Sequence, residues 1–205
     1  MERERLIENL RKAGHEAHSW SEGESWVLFV KDYAEGFDFA RLDEDIAWRQ
    51  DHIRMFGRSI ALPRRTAWYG DPGANYVYSG IKNEALPWTS LLQNLLDRLR
   101  NDLGREWNSV LANRYADGDQ HQGYHADDEK ELGDRPLIAS LSFGATRRFL
   151  VKKRSGDAKA EVFDLDDKSL LLMGGRLQED YVHALAKTKK AVGARINLTF
   201  RQIYF

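Results

Sequence analysis

Cysteine is absent from the 205 residues. That removes disulfides, thiolate nucleophiles and cysteine metal sites together, so any metal must sit on nitrogen and oxygen. Also missing is an apolar run approaching the roughly 20 residues that a membrane helix needs, so no membrane span is expected. The opening residues, Met1 to Arg5, are charged and lack the basic patch and apolar segment of a secretory leader, which makes the cytoplasm the expected location. Neither an internal repeat nor a low-complexity tract is visible. An excess of either charge is lacking as well: 31 Lys and Arg stand against 32 Asp and Glu. The chain as a whole therefore does not attract nucleic acid, and such a partner would have to be engaged through local basic patches. What remains, 42% hydrophobic and 31% charged residues, is the composition of a soluble folded chain long enough for one domain with a full core.

Helix formers with apolar Leu6, Ile7 and Leu10 predict a short peripheral helix within residues 1–18. A second helical pattern runs from about Phe37 to Arg49, after which Asp51 to Phe56 alternates like a half-buried strand. Pro63, Gly70 and Pro72-Gly73 then mark turns among Trp68, Tyr69, Tyr76 and Tyr78, an aromatic-rich hairpin region. Pro87-Trp88-Thr89 opens the clearest helix, whose stripe of Leu91, Leu92, Leu95, Leu96, Leu99 and Leu103 ends near Gly104 and should back a sheet. Short strands follow at about 107–115, 137–143, 146–153, 160–165, 169–173, 181–184 and 194–204. The expected class is α+β, mainly β: a jelly roll, or double-stranded β-helix, backed by helices. One domain is expected, with helices and a hairpin region over 1–85 and the jelly-roll core over 86–205.

His125 and Asp127 alternate along an extended segment, so both side chains leave one side and can share an ion. A His-x-Asp pair alone is far more often a surface turn than a metal site; its neighbours change the reading. His15, His18 and His52 lack ligand spacing, and His121 sits in a polar loop where Gly118 and Gly123 argue against a helical His pair. His183 is left as the third ligand. Two histidines and a carboxylate cover one face of an octahedral iron(II) and leave positions for a co-substrate and O2. Downstream, Arg195, Asn197 and Arg201 share one face of a strand pattern that needs an anion. Six residues of strand span about 20 Å, so the two arginines reach one small dicarboxylate only by leaning toward each other.

Asn113-Arg114-Tyr115, His125 to Glu129, Ile138 to Ala145, Leu170 to Met173, His183 and Arg195 to Arg201 follow one another in an order that is itself specific. Over about residues 50 to 205 the sequence resembles the AlkB family of Fe(II)/2-oxoglutarate-dependent dioxygenases, which reverse alkylation of nucleobases. The resemblance implies iron(II) on His125, Asp127 and His183, chelated by the 1-carboxylate and keto oxygen of 2-oxoglutarate. Arg201 and Asn113 would hold the 1-carboxylate end, Arg195 with Tyr115 the 5-carboxylate, and Asn197 would line the same pocket. It further implies that O2 and 2-oxoglutarate are consumed, an N-alkyl carbon is hydroxylated, and formaldehyde, succinate and CO2 are released. The expected substrates are N1-methyladenine and N3-methylcytosine in DNA. The alternatives are demethylation of RNA, another 2-oxoglutarate oxygenase reaction, and a nucleic-acid-binding module without turnover.

By likeness to members that act on double strands, residues 1–85 would include a nucleotide-recognition hairpin. Phe56 would fill the gap left by a flipped base, Tyr78 would stack on that base and Tyr76 would line its pocket; flipping costs least where alkylation has already abolished pairing. Asp128 would accept a hydrogen bond from an exocyclic amino group, with Glu129 assisting. Arg64, Arg65, Lys187, Lys189 and Lys190 fit phosphate contacts. A monomer is expected. Two positions depart from the family pattern: Tyr181 where a tryptophan is common, and Ala186 where a proline is common and whose absence should loosen the loop. The first 50 residues carry no motif.

Overall fold

Ser25 to Val30 shows no polar alternation, and all six residues are buried, as in a strand covered on both faces. The structure, a computed structural model, describes residues 2–55, 58–78, 81–156 and 158–204; for 53–55, 58–59, 76–78 and 81–83 it describes the backbone alone. In chain order the elements are α1 (Glu2–Lys12), β1 (His18–Glu22), β2 (Ser25–Val30), α2 (Phe39–Asp45), β3 (His52–Met55), β4 (Arg58–Ala61), β5 (Arg65–Gly70), β6 (Tyr76–Tyr78), β7 (Ile81–Asn83), α3 (Ser90–Leu103), β8 (Ser109–Tyr115), β9 (Gln122–His125), β10 (Ile138–Gly144), β11 (Arg147–Lys153), β12 (Glu161–Leu165), β13 (Leu170–Gly175), α4 (Leu177–Asp180), β14 (Tyr181–Leu185) and β15 (Arg195–Arg201).

Seven strands form one sheet in the order β1-β2-β13-β10-β15-β8-β5, and four form a second, β12-β11-β14-β9. The β3-β4 and β6-β7 hairpins stand apart from both. This is the expected mainly-β jelly roll. The larger sheet is backed by α3, whose Leu92, Leu95, Leu96, Leu99 and Leu103 are buried. The Thr89 side chain accepts from the Leu92 N–H at its start, and Gly104, at φ 61°, closes its end in the left-handed conformation glycine tolerates best. Leu6 and Leu10 of α1 join the same core.

Period-two alternation sorts the larger sheet into two faces. Leu28, Leu172, Leu141, Leu198 and Val110 face the helices, whereas Val27, Phe29, Leu171 and Met173 face the second sheet and pack on Phe149 and Val151. On β15 the split is chemical. Ile196, Leu198 and Phe200 enter the helix-backed core, while Arg195, Asn197, Thr199 and Arg201 turn into the space between the sheets.

The first 50 residues, which carry no motif, supply β1 and β2, and β5 forms the opposite edge, so strands from both sides of residue 85 share one sheet. The helical pattern from Phe37 shortens to α2, where the Asp38 carboxylate accepts from the Arg41 N–H. Trp68 and Tyr69 belong to β5 and the interior rather than to a hairpin: Trp68 Nε1 donates to Ala74 O at 2.9 Å, and the Tyr69 hydroxyl accepts from the Ala47 N–H at 2.8 Å. No helix among the described residues is long and apolar enough to cross a membrane.

Candidate metal and co-substrate site

The pairing of β14 with β9 sets His183 directly opposite His125, with ring centroids 4.3 Å apart. Asp127 lies just past the end of β9, and its Oδ1 accepts from Arg201 Nη2 at 2.8 Å. One ligand atom from each of His125, Asp127 and His183 lies within 4.8 Å of the others. His125 Nδ1 sits 2.9 Å from Gly123 O, so that nitrogen carries the proton and Nε2 presents its lone pair, the tautomer a metal ligand requires. Gln122 Nε2 donates to that Nε2 at 2.8 Å.

Charge states follow from burial and neighbours. Burial, then the adjacent His125, pushes His183 down to about 3. Burial also lowers His125. For Asp127 burial alone would raise the pKa, but Arg201 and the two imidazoles overcome it and hold the carboxyl at about 2. Near neutral pH the site therefore offers two neutral imidazoles and one carboxylate, the deprotonated set a divalent cation needs.

These shifts give a pH dependence with a definite sign. His183 titrates at 6.5 unfolded and about 3 folded, so between those values the unfolded chain binds more protons and stability rises with pH. Asp127 adds a further loss only as pH falls from 3.8 toward about 2. The Tm of metal-free protein should fall between about pH 6.5 and pH 4, and His183→Gln should flatten that fall. Equal slopes in the two proteins count against the assignment.

The facing wall comes from β15 and β8, whose register sets Arg195 opposite Tyr115 and Asn197 opposite Asn113. Asn197 Nδ2 donates to Ser140 Oγ at 2.7 Å, which fixes its side chain. Arg195 is 2% exposed; its Nη2 donates to Ser142 Oγ at 2.9 Å, and its guanidinium carbon lies 5.6 Å from the centre of the Tyr115 ring. Among the described residues no carboxylate lies within ion-pair distance of Arg195, and its Nε has no hydrogen-bond partner. Burial lowers its pKa to about 10, so it stays charged near neutral pH. A buried cation costs several kcal/mol unless paired, and a carboxylate is the group this environment takes. Iron and dicarboxylate ligands thus fit: the residues expected to hold them all line one cavity.

The structure moves other expected residues. Arg64, expected at a phosphate, is 4% exposed and donates from Nε to Asn113 Oδ1 at 2.7 Å, so it is buried behind a residue of the pocket wall rather than on the surface. Asp128 is exposed, and its carboxylate accepts from Arg154 Nη2 at 2.5 Å. Glu129 is half-buried. Arg65, Lys187, Lys189 and Lys190 are exposed, the lysines on the connection from β14 to β15. Tyr76 and Tyr78 lie on β6, opposite Asn83 and Ile81, where only the backbone is described. Phe56 lies outside the described residues. Two glutamines passed over in the sequence belong to the site: Gln122, whose Oε1 accepts from the Tyr115 hydroxyl at 3.2 Å, and buried Gln178, whose Oε1 accepts from the Asp127 N–H at 3.0 Å. Neither has a periodic or spacing signal.

Both departures from the family pattern find partners. Tyr181 donates its hydroxyl to Glu22 and packs edge-on against Trp20, so β1 anchors it. Ala186 is hydrogen-bonded on both sides of its peptide: its N–H donates to Arg148 O at 3.0 Å and its carbonyl accepts from Arg147 Nη2 at 2.7 Å. Arg147 also donates to the carbonyls of Asp117, Gly118 and Gln120, tying the β8–β9 connection to the β14–β15 connection. Ala186→Pro deletes the N–H and should cost about 1–2 kcal/mol in urea unfolding. A gain in stability would show that the Arg148 bond contributes nothing.

Two imidazoles and a carboxylate that leave coordination positions open are the donor set of non-haem iron(II) oxygenases. Residues 28–201 match the 2OG-Fe(II) oxygenase superfamily, a match that begins inside β2. Over 187 residues the chain is 36% identical to the DNA oxidative demethylase ALKBH2 of Mus musculus, covering 86% of this chain and 78% of that protein. Over 173 residues it is 38% identical to the alpha-ketoglutarate-dependent dioxygenase alkB homolog 3 of Rattus norvegicus, covering 80% of this chain and 58% of that protein. The solved structure of OsALKBH1 shares the fold, with TM-score 0.63 at 18% identity over 89% of this chain and 100% of that one. The chain belongs to the AlkB family of Fe(II)/2-oxoglutarate-dependent dioxygenases within that superfamily.

Proposed function

We propose that this dioxygenase demethylates N-alkylated bases in DNA, N1-methyladenine and N3-methylcytosine first among them, consuming O2 and 2-oxoglutarate and releasing formaldehyde, succinate and CO2. The observation that carries the reading is one cavity in which His125, Asp127 and His183 face the buried Arg195, which has no carboxylate within ion-pair distance among the described residues. The similarity to relatives named DNA oxidative demethylase supports the substrate. His125, Asp127 and His183 would hold the iron. Arg195 with Tyr115, and Arg201 with Asn113, would hold the two ends of 2-oxoglutarate. Bound there, iron and 2-oxoglutarate supply the activation of O2 for hydroxylation of the N-alkyl carbon.

The chain's own residues prepare that chemistry. Arg201 keeps Asp127 ionised and aimed, and Gly123 O fixes the His125 tautomer. Asp128, next to the ligand Asp127 and exposed, offers its carboxylate to an exocyclic amino group in exchange for Arg154. Arg65, Lys189 and Lys190 would meet phosphates, and Phe56, Tyr76 and Tyr78 would receive the flipped base. The test is release of formaldehyde and succinate with Fe(II), 2-oxoglutarate and oligonucleotides bearing either methylated base, as single- and double-stranded DNA and as RNA. Formaldehyde from DNA is expected. None from any substrate, with folded protein, would sink the proposal, and release from RNA alone would reassign the substrate.

A further inference from the structure

Asp127 lies beyond the last residue of β9, so no strand ladder fixes its backbone. Two side chains hold it. Arg201 grips the carboxylate, and Gln178 accepts from the backbone N–H at 3.0 Å. Gln178 is 3% exposed, and a buried amide is costly unless its polar atoms are bonded. Its one short side-chain bond goes to the amide of a residue 51 positions away; its Nε2 reaches only Met173 Sδ, at 3.9 Å.

Gln178 sits on α4, the single turn that joins β13 to the strand bearing His183. That turn is itself pinned. Arg154 donates from Nη2 to Gln178 O at 2.8 Å and from its backbone N–H to Asp180 O at 2.9 Å, while the Asp180 carboxylate accepts from Ser25 Oγ at 3.3 Å. Gln178 is thereby fixed relative to His183, and its side chain carries that position across to Asp127.

We infer that Gln178 is a positioning residue that sets the spacing between the metal ligands Asp127 and His183, acting through the Asp127 amide. Hydrogen-bonded groups behind metal ligands commonly change metal affinity by about 10–100-fold. A residue that only fills space would move stability and leave the metal alone.

The inference rests on the ligand set assigned above, so His183→Ala serves as the control. The probe is Co(II), titrated anaerobically into metal-free protein without nucleic acid and followed by its d–d absorption. Gln178→Met keeps the volume and removes the acceptor; with wild-type circular dichroism it should weaken Co(II) binding about 10–100-fold and shift the absorption band. Gln178→Glu retains an acceptor oxygen and should bind within a few-fold of wild type. Wild-type affinity and spectrum in Gln178→Met overturn the inference, and so does Gln178→Glu binding as weakly as Gln178→Met. If Gln178→Met does not fold, Gln178→Glu decides alone: binding near wild type sustains the role, and weakened binding ends it. Unchanged Co(II) binding in His183→Ala would instead show that the ligand set is wrong.

Discussion

His183→Ala should abolish formaldehyde release and weaken Co(II) or Fe(II) binding by more than about 100-fold, the upper range for losses that leave all ligands in place. The expectation follows from register. His183 faces His125 across the β14–β9 ladder, and His121, the nearest further histidine in sequence, is hydrogen-bonded to Asp119 O in the preceding loop. No histidine other than these two joins Asp127 in a metal-holding group among the described residues. The loss is one of ligation, so adding 2-oxoglutarate should not restore turnover. Wild-type activity of the variant at limiting iron would remove His183 from the site.

Arg195→Met should act on the other wall, on co-substrate binding rather than on metal binding. Removing one partner of a buried, hydrogen-bonded charge pair costs about 2–5 kcal/mol, so the KM for 2-oxoglutarate should rise roughly 30-fold to several thousand-fold. Turnover at saturating 2-oxoglutarate should be largely kept, because the metal ligands are untouched. In the free protein Arg195 has no carboxylate partner among the described residues and is 2% exposed. A buried unpaired charge costs several kcal/mol, so with an apolar chain of similar length in its place the metal-free variant should melt no lower than wild type. An unchanged KM would dissociate Arg195 from the co-substrate. A normal KM with a lowered Tm would make it a structural residue.

Much of this site was legible because strands write their faces into the sequence. On β15, Ile196, Leu198 and Phe200 alternate with Arg195, Asn197, Thr199 and Arg201, and the structure puts the first set in the core and the second in the cavity. The His125 and Asp127 spacing was legible as alternation along extended chain, although β9 ends at His125 and side chains hold Asp127 instead. What escaped has no such period. β2 is apolar from Trp26 to Val30 and covered on both faces, so it could not be told from any other short apolar run. Arg64, between Pro63 and Arg65, reads as a surface cation, and only the fold shows its bond to Asn113. Gln122 and Gln178 act through hydrogen bonds to groups fixed by tertiary structure, and a glutamine looks the same on the surface as in the second layer around a metal. Ala186 escaped for a different reason: a family comparison registers the missing proline but not the N–H gained in its place.

The placement of β15 and β9 also bears on how the cavity opens. β15 is paired on both sides, by β10 and β8, whereas β9 is an edge strand paired only with β14 among the described strands. Backbone amides of a strand enclosed in this way exchange with solvent deuterium only on global unfolding, while those of a short edge strand exchange through small local openings. Amide protection is therefore expected to be highest along β15, which bears Arg195, Asn197 and Arg201, and lowest along β9, which bears His125.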